Sequence, residues 1–387
     1  MEKYYYFFDL NEVLIDRYPA KITNYLSDNF NVNKFVFIYS EKYNNSTPKK
    51  IPSGSKYFFL ADLSKVKLDE IINKYPPNSL TTIAQRIPDM WLLTFFNNKN
   101  IPTFIVQHGL WSDKLERIPI IHLLWDKFSK FTNYVKYVKS ICSITKTPFL
   151  STLGELYRFL LKEDINIPET KYLNTNIVRA QKAFIFDKSW DDYYVKKYGY
   201  NINDLIYIGN PDFLLLKDKN LNIKEDAVCY ICQSLVEDGR FFLKDYEEFL
   251  KILEKNVALS KKLYIKLHPR SKKEFYKSIE GNENVILTED IPVCEYYIAH
   301  YTGMLATAKQ ISDNILIWKL KDHHIPEYFL QFGSIVTSNK SDLTKFLNGN
   351  FKTNNVKSNL KMTNQELKDF DPIKIIATKI FELKKYD

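Results

Sequence analysis

The chain has 387 residues, and its 55 Lys and Arg against 46 Asp and Glu give it a net charge of +9. Its content of 45% hydrophobic and 26% charged residues is that of a globular protein and excludes a wholly disordered chain. This length favours two domains, and the longest apolar stretches, such as Ile118–Trp125, fall well short of the ~20 residues that span a bilayer. Because Glu2, Asp9 and Glu12 lie in and around the N-terminal apolar run, we expect no secretory signal and a cytoplasmic protein.

The first part of the chain alternates short apolar runs with helical patterns. Strands are predicted at Tyr4–Phe8, Lys34–Ile38, Tyr57–Leu60, Leu80–Ala84 and Thr103–Gln107. Helices are predicted between them at Ala20–Asn29, Leu68–Lys74 and Asp89–Asn97. Strands that alternate with helices indicate a parallel sheet covered on both faces.

The segment 114–162 departs from this alternation and is strongly basic. Apolar side chains recur in it at helical spacing, at Trp125, Phe128, Phe131, Val135 and Val138, with lysines beside them. One interpretation is a helix packed on the domain, with lysine side chains reaching past it to solvent. The other is a surface for peripheral contact with the anionic inner face of the cytoplasmic membrane or with an anionic acceptor.

From residue 183 the alternation returns. Strands are predicted at Ala183–Phe186, Leu205–Ile208, Ala227–Gln233, Lys262–Leu267, Asn284–Leu287, Tyr296–His300 and Asn314–Trp318, and helices at Asp191–Tyr198, Lys244–Asn256 and Met304–Gln310. The polar stretch Lys217–Glu225 is typical of a linker. Cys229 and Cys232 form a lone C-x-x-C within an apolar strand, which favours core packing over a zinc or redox site.

These elements predict two doubly wound α/β domains. We expect an N-terminal, acceptor-side domain at 1–216 with the basic helical insertion 114–162, and a nucleotide-sugar-binding domain at 217–370. The remaining segment 371–387 begins with Asp371 as an N-cap and Pro372 at the first helical position, and its helix is expected to pack back on the first domain. Ligands of open parallel sheets bind beyond the carboxyl ends of the strands, so the residues that follow the strands are the functional candidates.

Polar motifs follow four of the predicted strands: Gln107-His108-Gly109, Glu237-Asp238-Gly239, His268-Pro269-Arg270 and Tyr301-Thr302-Gly303. Pro269 holds the backbone of His268 extended, and an imidazole there can donate a hydrogen bond or a proton to a departing phosphate. A structural histidine that caps a carbonyl is the alternative. Arg270 suits bidentate binding of a phosphate or carboxylate.

The other motifs each have a functional and an ordinary interpretation. Thr302 and Gly303 open a helix and offer a hydroxyl and unsatisfied N–H groups to a phosphate, or they form a plain N-cap. Glu237 and Asp238 present carboxylates on a tight turn at Gly239, or they form a solvated turn. His108 is a second candidate base, or a buried histidine satisfied by the backbone.

The segments Gln233–Gly239 and Lys266–Arg270 together resemble the bacterial sialyltransferase group of GT-B glycosyltransferases, which includes lipooligosaccharide sialyltransferases, polysialyltransferases and related Kdo transferases. The marks of that group are a D/E-D/E-G motif, an HP motif and a later Ser/Thr motif. The resemblance implies that Asp238 or Glu237 supplies the catalytic carboxylate and that His268 assists the departing CMP phosphate. It also implies that Thr302 helps to bind that phosphate. The further residues expected at the donor are Gln233, Ser234, Gly239, Pro269, Arg270 and Gly303.

By resemblance, the fold is GT-B, with two Rossmann-like domains facing a central cleft. The implied activity is transfer of a sialic acid-like or Kdo sugar from its CMP donor to a cell-surface glycan or glycolipid acceptor. No metal or other cofactor is expected, because no carboxylate pair is placed to hold Mg²⁺ at a diphosphate.

Two departures from the family pattern leave other functions open. The Ser/Thr motif is usually a double hydroxyl, whereas here Tyr301 and Gly303 flank Thr302. In some branches of the family the acidic motif lies far upstream, in the N-terminal domain, where this chain has Gln107-His108-Gly109. His108-Gly109 is similar to the motif of polyol-phosphate transferases of teichoic acid synthesis, so a CDP-polyol phosphotransferase using His108 and His268 is the alternative enzyme. A basic nucleic-acid-binding protein that uses 114–162 is the alternative from another class, although no nucleic acid partner is expected.

Overall fold

The computed structural model describes residues 3–11, 15, 18–41, 51–107, 109, 120–162, 167–217, 219, 221–237, 239, 241–258, 261–320, 325, 327–349 and 361–382. The chain forms two compact units. The first contains residues 1–108, 124–211 and 371–387, and the second contains residues 109–123 and 212–370.

The first unit is built on a seven-stranded parallel sheet with strand order β3-β2-β1-β4-β5-β6-β7. Its strands are β1 Tyr4–Asn11, β2 Phe35–Glu41, β3 Lys56–Phe59, β4 Pro77–Thr82, β5 Thr103–Val106, β6 Lys182–Ile185 and β7 Leu205–Tyr207. Successive residues of β1, Tyr6, Phe7 and Phe8, are all fully buried. Both faces of the sheet are therefore covered, as the alternation of strands and helices predicts.

The helices of the first unit are α1 Pro19–Phe30, α2 Lys65–Lys74, α3 Ile87–Asn97, α4 Ile120–Thr145 (from residue 124 onward), α5 Phe149–Lys162, α6 Thr175–Val178 and α7 Asp191–Tyr198. Local sequence sets several of their ends. Pro19 stands at the start of α1, the Ser64 hydroxyl accepts a hydrogen bond from the Lys67 N–H in the first turn of α2, and Gly199 ends α7 with φ +74°.

The second unit has a six-stranded parallel sheet with strand order β10-β9-β8-β11-β12-β13. Its strands are β8 Lys224–Ile231, β9 Lys262–Lys266, β10 Val285–Thr288, β11 Cys294–Ala299, β12 Asn314–Trp318 and β13 Ile335–Thr337. The helices are α8 Leu243–Leu253, α9 Met304–Ile311, α10 Glu327–Leu330, α11 Lys340–Leu347 and α12 Asn364–Asp369. Cys229 and Cys232 are core residues, as predicted, and burial raises the pKa of the Cys232 thiol to about 12.

The change from one unit to the other falls between Pro211 and Asp212, earlier than the predicted boundary at 216/217. The short 3₁₀ helix Pro211–Leu216 lies at this change of unit, and its last residue, Leu216, is buried in the core of the second unit. The predicted linker Lys217–Glu225 also ends too late, since β8 already begins at Lys224. The first residues of β8 are polar because they are exposed.

The last helix, α13 Pro372–Glu382, belongs to the first unit. Asp371 is its N-cap, as predicted: its Oδ1 accepts a hydrogen bond from the Lys374 N–H at 2.9 Å. Phe381 stacks on Phe30 of α1, with ring centroids 4.3 Å apart.

Part of the basic segment 114–162 packs inward. Val138 and Ile141 of α4 are buried, and the Tyr137 hydroxyl donates to the Ala61 carbonyl oxygen at 3.2 Å. The side chains of Trp125, Phe128 and Phe131 lie outside the described residues. For the C-terminal part of α4, these contacts favour the packed-helix interpretation. Within the described ranges, the structure contains no helix with the length and hydropathy needed to cross a bilayer.

Candidate functional site

The strand order of the second sheet reverses between β8 and β11, and a side chain bridges this point. Gln233, two residues beyond β8, donates from Nε2 to the Tyr301 carbonyl oxygen at 2.5 Å and accepts at Oε1 from the Tyr301 N–H at 3.3 Å. This pair of bonds fixes the backbone of the segment Tyr301–Gly303, which we call the Thr302 turn. Ligands of open α/β sheets bind where the strand order reverses.

The second element of the site is the turn His268–Ser271, called the HP turn below, which follows β9. The Ser271 N–H donates to the His268 carbonyl oxygen at 2.8 Å, and the Ser271 hydroxyl accepts from the His268 N–H at 3.0 Å. Pro269 is the second residue of the turn, where its fixed φ is favoured. The turn is therefore closed by two hydrogen bonds between the same two residues.

The HP turn also sets the orientation of the His268 ring. Its Nδ1 accepts a hydrogen bond from the Arg270 N–H at 3.2 Å. In the neutral imidazole the proton is then on Nε2, the nitrogen farther from the turn. His268 is partly exposed. The geometry thus provides a histidine whose distal nitrogen can donate a hydrogen bond.

Arg270 joins the HP turn to the end of β8. Its Nη2 donates to the hydroxyl of Ser234 at 2.7 Å; Ser234 is buried, whereas Arg270 as a whole is exposed. A guanidinium is a planar cation whose N–H groups suit bidentate binding of an anion. The predicted residues Gln233, Ser234, His268, Arg270 and Thr302 are therefore brought to one edge of the second sheet.

The Glu237 carboxylate of the acidic motif contacts the backbone of the second unit. The Glu237 carboxylate accepts a hydrogen bond at Oε1 from the Lys272 N–H at 3.0 Å, so it binds the backbone just beyond the HP turn. Gly239 has φ +68° and its N–H donates to the Val236 carbonyl oxygen at 3.0 Å, which makes the tight turn that the sequence predicts. Asp238 lies outside the described residues.

Hydrogen bonds within the Thr302 turn and the start of α9 occupy some of the backbone N–H groups there. Thr302 Oγ1 accepts from the Met304 N–H at 3.4 Å, and the Thr302 and Gly303 carbonyl oxygens accept from the N–H groups of Leu305 and Ala306. Local turn geometry thus satisfies the first turn of α9. Within the described part of the chain, the N–H groups of Thr302 and Gly303 make no hydrogen bond.

Lys266, the last residue of β9, is a cation at this edge to which the sequence analysis assigned no role in binding the donor. Its Nζ donates to the Leu267 carbonyl oxygen at 2.9 Å, and it is partly buried. Burial lowers the pKa of Lys266, against the opposing influence of nearby groups that include Asp290 and Asp212. The alternation of Tyr264, Lys266 and His268 on the less buried face of β9 is the sequence signal that could have identified it.

In the first unit, the residue before His108 is firmly held. Gln107 is buried, and its Oε1 accepts a hydrogen bond from the Phe186 N–H at 2.9 Å, which links the ends of β5 and β6. Gly109 has φ +68°, a conformation that favours glycine. His108 itself lies outside the described residues.

A buried ion cluster at the ends of β1 and β4, where the strand order of the first sheet reverses, was also missed. Arg86 Nη2 contacts Asp9 Oδ1 at 3.1 Å, and Arg86 Nε contacts Asp89 Oδ2 at 2.7 Å. Asp9 and Asp89 are buried, whereas the Arg86 side chain is 26% exposed. Burial raises the pKa of Asp9 to about 6, although Arg86 opposes this shift.

This cluster predicts a measurable pH dependence of stability. The raised pKa means that folded Asp9 takes up a proton more readily than unfolded Asp9, so acidification through pH 6 favours the folded state. We expect the free energy of unfolding of the wild type, relative to Asp9→Asn, to rise by about 1 kcal/mol between pH 7 and pH 5. Urea titrations of both proteins at each pH measure the difference, and a constant difference would contradict the assignment.

The described residues contain no group of three or more His, Cys, Asp or Glu side chains arranged to hold a metal ion.

Comparison with known proteins identifies the fold. The chain matches no family model and no curated protein sequence. Among solved structures, the UDP-GlcNAc 2-epimerase of Methanocaldococcus jannaschii in complex with UDP-GlcNAc and UDP is similar over 97% of this chain and 100% of its own, with a TM-score of 0.50 and 12% identity. A variant of the wall teichoic acid polymerase TagF with CDPG is similar over 99% of this chain and 90% of its own, with a TM-score of 0.51 and 10% identity. These similarities confirm the predicted GT-B fold of two Rossmann-like domains.

Proposed function

We propose that the protein is a GT-B transferase that binds a nucleotide-activated donor at the carboxyl ends of β8, β9 and β11. The observation that carries the proposal is the convergence of His268, Arg270 and the Thr302 turn at the point where the strand order of the second sheet reverses. Gln233 and Ser234, both beyond β8, hold the two turns there: Gln233 donates to the Tyr301 carbonyl oxygen, and the Ser234 hydroxyl accepts from Arg270. A histidine, a guanidinium, a hydroxyl and backbone N–H groups at one edge suit a phosphate.

The proposed chemistry is stabilisation of the leaving nucleotide. Negative charge grows on the donor phosphate as its bond to the transferred group breaks. Donors that are already oriented toward that charge stabilise the transition state. The Nε2–H of His268 would donate to the phosphate oxygen, as a hydrogen bond or as a general acid, while Arg270 and Lys266 contribute positive charge.

The donor proposed is a CMP-linked sialic acid-like or Kdo sugar, and the acceptor is a glycan of lipooligosaccharide, O-antigen or capsule. This choice rests on the resemblance of the motifs around Asp238, His268 and Thr302 to the sialyltransferase group. The acceptor hydroxyl would lose its proton to Asp238 or His108. No metal is required in this scheme, because the leaving phosphate is a monoester that the protein's own donors neutralise.

A CDP-polyol phosphotransferase is the second candidate. It is favoured by the Gln107-His108-Gly109 motif and by the similarity to the structure of a TagF variant with CDPG. A mass-spectrometric assay would separate the candidates, with CMP-sialic acid, CMP-Kdo and CDP-glycerol as donors and lactose or lipid-oligosaccharide as acceptors. Turnover of a CMP-sugar supports the first candidate, and turnover of CDP-glycerol alone supports the second.

Nucleotide binding gives a direct test of the site. We expect calorimetry to detect binding of CMP without added metal, and we expect Arg270→Ala to weaken it by about 10- to 100-fold, the range for a lost hydrogen bond to a charged group. Lys374→Ala, an exposed cation on α13, is the matched control and should leave the affinity unchanged. Equal affinities in the two variants would contradict the site, and binding of UDP in preference to CMP would contradict the donor.

A further inference from the structure

A chain of hydrogen-bonded side chains runs through the core of the second unit. It begins at His300, which directly precedes the Thr302 turn and is fully buried. His300 Nδ1 donates to the Trp318 carbonyl oxygen at 2.8 Å, since a carbonyl oxygen can only accept. On the other side of the ring, Nε2 lies 3.0 Å from the hydroxyl oxygen of Tyr230.

Two more phenols extend this chain to the HP turn. The hydroxyl oxygens of Tyr230 and Tyr246 are 3.4 Å apart, and those of Tyr246 and Tyr276 are 3.1 Å apart. The Tyr276 hydroxyl donates to Ser271 Oγ at 3.3 Å. Ser271 Oγ is the atom that also accepts from the His268 N–H. The tyrosine chain, Tyr230–Tyr246–Tyr276, thus ends on the hydrogen bond that closes the HP turn.

Packing alone does not account for these hydroxyls. Phe249 occupies the same core and packs against Tyr230 and His300 with ring centroids 5.2 Å and 5.1 Å apart, so an aromatic ring without a hydroxyl fits this environment. The three tyrosines are at most 2% exposed. A buried hydroxyl destabilises the fold unless it is hydrogen-bonded. A tyrosine at these positions therefore requires a hydrogen-bond partner that a phenylalanine would not.

We propose that Tyr230, Tyr246 and Tyr276 are positioning residues that hold the HP turn and the Thr302 turn at a fixed separation. The bonds of Gln233 and Arg270 join each turn to the end of β8. The tyrosine chain joins the same two turns through the core of the second unit, by way of Ser271 and His300. A phosphate that contacts both turns needs their hydrogen-bond donors at a set distance from each other. In assigning phosphate binding to the two turns, this inference rests on the proposed function.

The test compares conservative variants that remove one hydroxyl and keep the ring. Tyr276→Phe and Tyr246→Phe break the tyrosine chain. Tyr297→Phe is the matched control: Tyr297 is equally buried in the same unit, but its hydroxyl bonds to the Pro292 carbonyl oxygen and the Cys294 N–H, at the start of β11 and away from the turns. All three variants lose hydrogen bonds, so a general loss of stability would appear in each.

The first readout needs no ligand. NMR of the histidine rings in isotope-labelled full-length protein, with the His268 signals assigned from His268→Gln, reports whether Nδ1 of His268 accepts a hydrogen bond. We expect the Nε2–H form in the wild type and in Tyr297→Phe. In Tyr276→Phe and Tyr246→Phe the Nδ1 signal should shift, because the HP turn loses its support.

The second readout is the affinity for CMP by calorimetry. We expect it to fall about fivefold to tenfold in Tyr276→Phe and Tyr246→Phe, the equivalent of one ordinary hydrogen bond, and to stay within twofold in Tyr297→Phe. If Tyr276→Phe does not fold, Tyr246→Phe carries the test, because it breaks the same chain between Tyr230 and Tyr276. His268 signals and CMP affinities that match those of Tyr297→Phe would overturn the inference. Absence of CMP binding in the wild type would instead refute the proposed function, and the NMR readout would still decide the role of the tyrosine chain.

Discussion

Replacement of His268 by alanine is expected to lower the rate of transfer by at least about a hundredfold, the lower end of what a general acid contributes. The reason is its position: His268 lies just beyond the end of β9, its Nδ1 accepts a hydrogen bond from the Arg270 N–H, and its Nε2–H is the donor that we propose for the leaving phosphate. Stability should change little, since the backbone N–H and carbonyl of residue 268, not the ring, close the HP turn. Initial rates at saturating donor measure the effect.

His268→Gln sharpens this test. A glutamine amide can still donate a hydrogen bond from about the place of Nε2, but it cannot transfer a proton. If His268 only stabilises charge, Gln should retain much more activity than Ala; if it transfers a proton, the two variants should be similarly impaired. Near-normal turnover of His268→Ala in a folded protein would refute the assigned role of the HP turn. Circular dichroism and thermal unfolding provide the control for the fold.

The strands were predictable from the sequence where local pattern and tertiary pairing agree. Asn314–Trp318 was predicted with the observed bounds, because its apolar run is bounded by polar residues on both sides. β4 was predicted at Leu80–Ala84 but lies at Pro77–Thr82. The sequence Pro76-Pro77-Asn78 has the composition of a turn, yet Pro77 pairs with Tyr4 of β1, and the Tyr4 N–H donates to the Pro76 carbonyl oxygen. Pairing with a neighbouring strand thus overrides local propensity.

The motifs of the site were predictable because each follows a strand, but their mutual contacts were not. Gln233 and Tyr301 are 68 residues apart, and Arg86 and Asp9 are 77 apart. Such pairs meet only because β8 adjoins β11 and β1 adjoins β4, and strand order is not encoded in local periodicity. The contact of the Glu237 carboxylate was not predictable for the same reason: the sequence shows two adjacent acids and not the Lys272 N–H that one of them binds.

The proton acceptor is the remaining catalytic question, and two variants address it. We favour Asp238, because the motif that matches the sialyltransferase group is longer there than at His108. Asp238→Asn keeps the size of the side chain and removes its basicity. It should therefore lower turnover by about a hundredfold to ten-thousandfold while CMP still binds. Glu237→Gln is the comparison, since an amide oxygen can still accept from the Lys272 N–H, and its activity should fall far less.

His108→Ala should reduce turnover only modestly if Asp238 is the base, because His108 would then help to place the acceptor without accepting its proton. If His108 is the base instead, the ranking of the two variants reverses. Activity should then also fall below about pH 6.5, since an ordinary imidazole becomes protonated there and can no longer accept a proton. The pH profiles of wild type and Asp238→Asn, measured with saturating donor and acceptor, distinguish these outcomes. Near wild-type turnover in both Asp238→Asn and His108→Ala would contradict both assignments and would require a base from elsewhere in the chain.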